Sequence, residues 1–310
     1  MQSLNRMALE LVDEAIEFAD ELAIETRELA GGATVLDFGV ETFGGYEAGL
    51  LLAEIQTGGL ATVQTESGTV DGAPMPHVKL HTDHPALALL CSQKAGWELS
   101  VDGFEGLGSG PARALVAEED VFRRTGYADA CEFATLAVES DELPEQAVAD
   151  HVADMTDSEP GSVFLPTFRT DSIVGSTVLA ARAAEMAAFR LTELGYDPAA
   201  LLTAHATAPV APVADDYETA VGRTNDALAY GAQVHLTVED EFDRFDELPS
   251  TARDEYGVPF EQIFDDADWE FYDVPTEVFA PAQVTVDVVG GPTHALGATD
   301  ETLLAQSFGL

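Results

Sequence analysis

"GSTVLAARAAEMAAFRLTELGYDP", Gly175–Pro198, is almost entirely Ala, Leu, Val and Met until its last turns. Small apolar residues on nearly every side predict a helix packed closely inside the molecule. Two charges interrupt it. Around Arg182 the neighbours at i±3 and i±4 are Val178, Leu179, Glu185 and Met186. Around Glu185 they are Ala181, Arg182, Ala188 and Phe189, so both charges stand on an apolar stripe. An exposed i, i+3 pair contributes about 0.2–0.5 kcal/mol. A buried pair carries a desolvation cost, and its presence calls for a reason, whether packing or chemistry.

Strands flank this helix. "GSVFLPTF" leads in, and the Pro-punctuated "AALLTAHATAPVAPVAD" leads out. Further strands are expected at "ATVLDFGV", "PHVKLH", "ACEFATLAVES" and "AQVHLTV", with helices at Leu4–Leu22, "LPEQAVADHVADMTD" and "YETAVGRTNDALAYG". "AGLLLAEIQTGGLATVQTES" reads as apolar segments alternating with glycine turns, and "WEFYDVPTEVFAPAQVTVDVVGG", Trp269–Gly291, turns at Pro281 into a strand. Some strands join through short turns and others through helices, which predicts a mixed α/β (α+β) fold rather than a strictly doubly wound sheet. The polar stretch Glu139–Pro160 is the best candidate border. It divides the chain into an N-terminal α/β domain, 1–145, and a C-terminal one, 146–310, with exchange of elements across the border allowed for.

The chain has 310 residues, of which 46% are hydrophobic, enough for a substantial core. Against 57 acids stand 13 basic residues, giving a net charge of −44. Those acids are dispersed, as in "VEDEFDRFDELP", and only Lys79 and Lys94 remain of the lysines. Such a surface suits strong salt, where self-repulsion is screened. It disfavours nucleic acid and anionic membranes as partners. The N-terminus is too acidic for a signal peptide, and no apolar run nears the roughly 20 residues of a membrane helix. Cys91 and Cys131 form no C-x-x-C motif. The expectation is a soluble cytoplasmic protein in a reducing compartment.

Four further stretches carry candidate chemistry. "SQKAGW", Ser92–Trp97, keeps one of the two lysines beside neutral donors and a flat indole. "GLGSGPARAL" reads as a glycine-rich loop opening a helix, with Ser109 and Arg113 as added donors for an anion. It is not the dinucleotide fingerprint and lacks the Lys-Ser/Thr of a P-loop, so a tight structural turn is the equal alternative. "HTDH" places His81 and His84 around Asp83, but no second cluster completes a catalytic zinc set. Arg223, Thr224, Asn225 and Asp226 read first as helix caps.

Six blocks then stand in order: "TDHPALALLCSQKAGW", "GSGPARAL", "SIVGSTVLAARAAE", "LGYDP", "TNDALAYG" and "FAPAQ". Together they resemble the archaeal methenyltetrahydromethanopterin cyclohydrolase family along essentially the whole chain, in a version suited to strong salt. The resemblance implies a cofactor-free cytosolic hydrolase that opens the cationic methenyl bridge of a reduced pterin with water, giving the N5-formyl form. It implies two α/β domains with the substrate pocket between them, and a homotrimer. It places the family's arginine and glutamate on Arg182 and Glu185, the glutamate handling the attacking water. Ser92, Gln93 and Lys94 would border the pocket, while Ser109 and Arg113 are candidates for its anionic tail. An amidinium carbon is already electrophilic, so this chemistry does not require a metal to polarise it. Nothing in these blocks separates tetrahydromethanopterin from tetrahydrofolate. Two other readings stand beside it: a non-catalytic anion- or pterin-binding protein using the glycine loop, and a metal-dependent amidohydrolase built on His81, Asp83 and His84.

Overall fold

The computed structural model describes residues 3–269 and 274–310. Residues 270–273, inside the "WEFYDV" stretch, lie outside the described residues. The chain forms two compact units: Met1–Thr62 with Ala86–Val178, and Val63–Pro85 with Leu179–Leu310. No helix among the described residues is long and apolar enough to cross a membrane. Helices and two mixed sheets together make the expected α/β architecture.

The first unit opens with the helices Leu4–Glu17 and Ala19–Leu22, where one helix was expected, followed by strands β1 (Glu25–Glu28) and β2 (Thr34–Asp37). The hairpin β3 (Thr62–Val70) and β4 (Ala73–Thr82) belongs to the second unit. The chain then returns with β5 (Trp97–Val101), β6 (Phe104–Ser109), β7 (Ala134–Thr135), β8 (Ala137–Glu139) and β9 (Val163–Phe168). Their order is β1-β2-β9-β8-β6-β5, with β7 also on β9. β9 pairs parallel with β2, β7 and β8, and the remaining pairs are antiparallel. The expected amphipathic helix spans Gln146–Thr156 and buries Val148, Ala149, Val152 and Ala153. These side chains share a core with Val35, Leu99, Leu136, Val138 and Leu165 of the strands.

Two further expectations change in this unit. The stretch "AGLLLAEIQ", read as apolar segments between glycine turns, lies in a helix, Tyr46–Gln56. "GLGS" is no loop but the end of strand β6, and the helix after it, Arg113–Val116, has only four residues. Its glycines answer a packing demand. A Cβ on Gly108 would stand 3.1 Å from both Leu136 Cδ2 and Trp97 Cβ, tighter than ordinary van der Waals contact.

The second unit adds β10 (Leu201–Pro209), β11 (Gln233–Val238), β12 (Gln283–Val288) and β13 (Thr293–Gly297). The strands run in the order β13-β12-β11-β10-β4-β3; β11 and β12 pair parallel, while β10 pairs antiparallel with β11 and β4, and β12 with β13. Strict alternation decides the faces. Val78, Leu80, Ala204, Ala206, Val234, Leu236, Val284 and Val286 are buried on one side. The helix Ala183–Glu193 packs on β10 and β11 there. The opposite side carries Lys79, His81, His205 and His235, with Thr and Gln residues between them, exposed or half-buried.

The Gly175–Pro198 stretch is not one helix. It divides into Ile173–Ala180 and Ala183–Glu193, separated by a turn at Ala181 and Arg182. Arg182 N–H closes a short turn on Leu179 O at 3.0 Å, and Met186 N–H restarts the helix on Arg182 O at 2.9 Å. The break turns Arg182 into an N-terminal flanking residue and puts Glu185 in a first turn.

Candidate active site

Glu185 is 6% exposed, and Ala184, Ala187 and Ala188 around it are fully buried, as the apolar stripe predicts. Arg182 Nη2 and Nε donate to Glu185 Oε2 at 3.0 and 3.2 Å. The helix break adds what the sequence did not show. In the first turn of a helix the unpaired amides and the macrodipole favour a negative charge. Guanidinium and helix end thus both place positive charge beside the Glu185 side chain. Both contacts fall on Oε2, and Oε1 is the oxygen that Arg182 does not engage.

In the first unit the structure gathers Ser92, Lys94, Ser109 and Arg113 into one network. Gln93 lies beside them in sequence and is fully buried. Ser92 and Gln93 end the buried turn of chain Ala86–Gln93. Ser92 Oγ donates to Gln56 O at 2.6 Å, and Gln56 Nε2 donates to Ser109 Oγ at 3.0 Å. Gly110 N–H closes on Ser92 O at 2.8 Å.

Arg113 is 1% exposed. Its Nη1 donates to Leu90 O and Ser92 O at 3.3 and 3.1 Å. Its Nε and Nη2 grip Glu119 Oε1 at 2.9 and 2.6 Å. The guanidinium also lies 5.6 Å from the Phe122 ring centroid. With its donors spent this way, Arg113 braces the backbone that carries Ser92. Lys94 Nζ reaches the other Glu119 oxygen at 3.0 Å. Burial pushes the Glu119 pKa up, but Arg113 and Lys94 outweigh it and hold the carboxyl below its ordinary range. Gly96 of "SQKAGW" fits this crossing. A Cβ there would come within 3.0 Å of Arg113 Nε and 3.2 Å of the Glu119 carboxylate.

Sequence reasoning missed Gln56 and Glu119. Glu119 was hidden in the acidic run "AEED", and Gln56 ends a helix read as broken apolar segments. The other candidates resolve into structure. Asp226 Oδ1 accepts from Phe260 N–H at 2.9 Å, at the start of the helix Phe260–Asp266, and Oδ2 accepts from Ser307 Oγ at 2.6 Å. It caps a helix distant in sequence, whereas Thr224 and Asn225, also expected as caps, lie inside the helix Tyr217–Asp226 and donate to Ala220 O and Val221 O. His81 stands in register with His205 across β4 and β10, while His84 N–H turns back to Thr82 Oγ1 at 3.0 Å. Among the described residues no group of three or more His, Cys, Asp or Glu side chains is placed to hold a metal ion. Cys91 and Cys131 are free thiols, and burial pushes the Cys91 pKa up to about 11.

The family model described as Cyclohydrolase (MCH) matches residues 3–308. A methenyltetrahydromethanopterin cyclohydrolase of Halobacterium salinarum is 59% identical over 310 residues, covering all of both chains. Enzymes of the same name from Methanosphaerula palustris and Methanocella arvoryzae are each 38% identical over 314 residues. They cover all of this chain and 100% and 99% of their own. Similarity at this level, over the full length and across the helix that bears Arg182 and Glu185, shows that the chain belongs to the MCH cyclohydrolase family.

Proposed function

We propose that this chain hydrolyses the cationic methenyl bridge of N5,N10-methenyltetrahydromethanopterin, or of a related reduced pterin, to the N5-formyl form. The relatives' shared name supports the substrate, and family membership favours catalysis over mere ligand retention. The observation that carries the mechanism is the buried Arg182–Glu185 pair.

Glu185 Oε1 orients a water against the amidinium carbon and takes its proton as the C–O bond forms. Arg182, held on Oε2, keeps the carboxyl group aimed before reaction. The substrate's positive charge is attracted to the same carboxylate and disappears in the tetrahedral adduct. The adduct then collapses by cleavage of the bond from carbon to one bridge nitrogen. That nitrogen leaves protonated, and one proton is released overall. The bridge carbon is electrophilic from the outset, so this route asks for no Lewis acid. Ser92, Gln93, Lys94 and Ser109 are proposed to border the pterin, with Arg113 acting through the Ser92 backbone. By resemblance, the chain is also proposed to work as a homotrimer in the cytoplasm.

The test is loss of methenyl absorbance by purified Glu185→Gln. The amide keeps the side chain's shape but cannot take a proton, so kcat should fall about 10²–10⁴-fold with an unchanged circular dichroism spectrum. Wild-type turnover by this variant would remove Glu185 from the reaction. Running both the methanopterin and folate forms of the substrate decides which pterin is used.

A further inference from the structure

The outward face of the second sheet contrasts with the rest of this acidic molecule. Its strands bring outward positions of β4, β10, β11, β12 and β13 into straight rows. One row reads His81, His205, His235, Thr285, Ala295. The next reads Lys79, Thr207, Gln233, Gln283. A third reads Thr203, Thr237, Asp287, Thr293, with the Thr203 and Thr237 hydroxyls bonded at 2.9 Å.

In a chain with 57 acids, Asp287 is the single carboxylate at these positions, and it is tied to Thr293 Oγ1 at 2.6 Å. Glu66 on β3 also reaches the face, where Lys79 Nζ lies 3.1 Å away and Thr207 Oγ1 donates to it at 3.2 Å. Four of the seven histidines lie here, His77 included. Burial first, then the neighbouring His81, His235 and Lys79, hold the His205 pKa below its ordinary value, so this imidazole is uncharged at neutral pH. Leu202, at the bulge of β10, is exposed.

A surface meant for strong salt holds its water with carboxylates, and this face omits them. At a net charge of −44, two copies repel wherever their acidic surfaces meet. A face free of uncompensated carboxylates is where that repulsion is least. Nucleic acid or an anionic membrane would need a basic face, and the one lysine here is already paired with Glu66. The outward positions of six strands also approach the roughly 20 residues a side of a standard interface.

We propose that the outward face of β4, β10, β11 and β12 is where a second copy of this chain docks. The inference rests on the proposal that the chain self-associates, and names the surface that does it. The experiment compares wild type with His205→Glu/Thr207→Glu in concentrated potassium chloride, by size exclusion with light scattering. The expected result is a wild-type mass that is a multiple of 32.9 kDa and a double variant at the single-chain mass, with unchanged circular dichroism. A wild type already at the single-chain mass would overturn self-association itself. An oligomeric wild type with an equally oligomeric, folded variant would overturn this face alone. Hydroxyl-radical footprinting of the wild type tests the face without a variant. His205 and His235 should be protected relative to the exposed Met155, and oxidation of all three to the extent of their single-chain exposure would overturn the docking.

Discussion

Glu119 shows how one acid among many acquires a role. Three contacts from Arg113 and Lys94 hold it, and its folded pKa lies below the value of 4.5 it has when free. A depressed carboxyl contributes stability that is fully present above its unfolded pKa and lost as pH falls through the folded one. Glu119→Gln should therefore be clearly less stable than wild type at pH 7. The gap in melting temperature should narrow as pH drops below about 4.5, in thermal melts at fixed salt. A gap independent of pH would show that the carboxylate's charge does not hold the brace. Nothing in the sequence distinguishes Glu119 from its neighbours, because a surplus of acids erases the signal that a lone acid would give. Arg182 and Glu185 were legible for the opposite reason: their surroundings are alanine and leucine, where any charge is conspicuous.

At the scale of elements, alternation made the second sheet legible, since β10, β11 and β12 each present one apolar and one polar face. Glycine defeated the same reasoning at β6. Gly106 and Gly108 have no side chain to show a period, and the reason for them lies across space on Leu136, Val138 and Trp97. Gly108→Ala should cost about 1–3 kcal/mol by overpacking, read from urea unfolding. A cost near zero would mean that the strand has room after all.

The break between Ile173–Ala180 and Ala183–Glu193 was also invisible in the sequence. No Pro or Gly marks it, and the composition is helical on both sides. Asp226 joins three elements, and burial pushes its pKa up to about 6 from 3.8 despite its two donors. A raised carboxyl favours the folded state most below its unfolded pKa, and that advantage is lost as pH rises through the folded value. Relative to wild type, Asp226→Asn should therefore gain about 2 kcal/mol between pH 4 and pH 7. Equal pH profiles for the two proteins in chemical denaturation would contradict the burial of a charged Asp226.

For the whole molecule, net charge governs behaviour more than any single contact. At −44, unscreened repulsion opposes both folding and assembly, and the Debye length grows from about 3 Å at 1 M salt to about 30 Å at 0.01 M. Dilution from molar to millimolar potassium chloride should lower the melting temperature and separate any oligomer, followed by light scattering and circular dichroism across the series. Unchanged stability at low salt would mean that the acids are solvated individually and do not act together. The mixed α/β class could be anticipated from the alternation of elements along the chain. The excursion of β3 and β4 into the second sheet could not, because strand pairing over such sequence distances leaves no local mark.

That excursion has a consequence during synthesis. β4 finds its second neighbour only when β10, far downstream at Leu201–Pro209, has left the ribosome. Until then its free edge is open to wrong partners, and Pro74 and Pro76, which lack an amide hydrogen to offer, blunt it. Nascent chains halted before residue 201 should lose the hairpin to a brief protease pulse, and chains that include β10 should keep it.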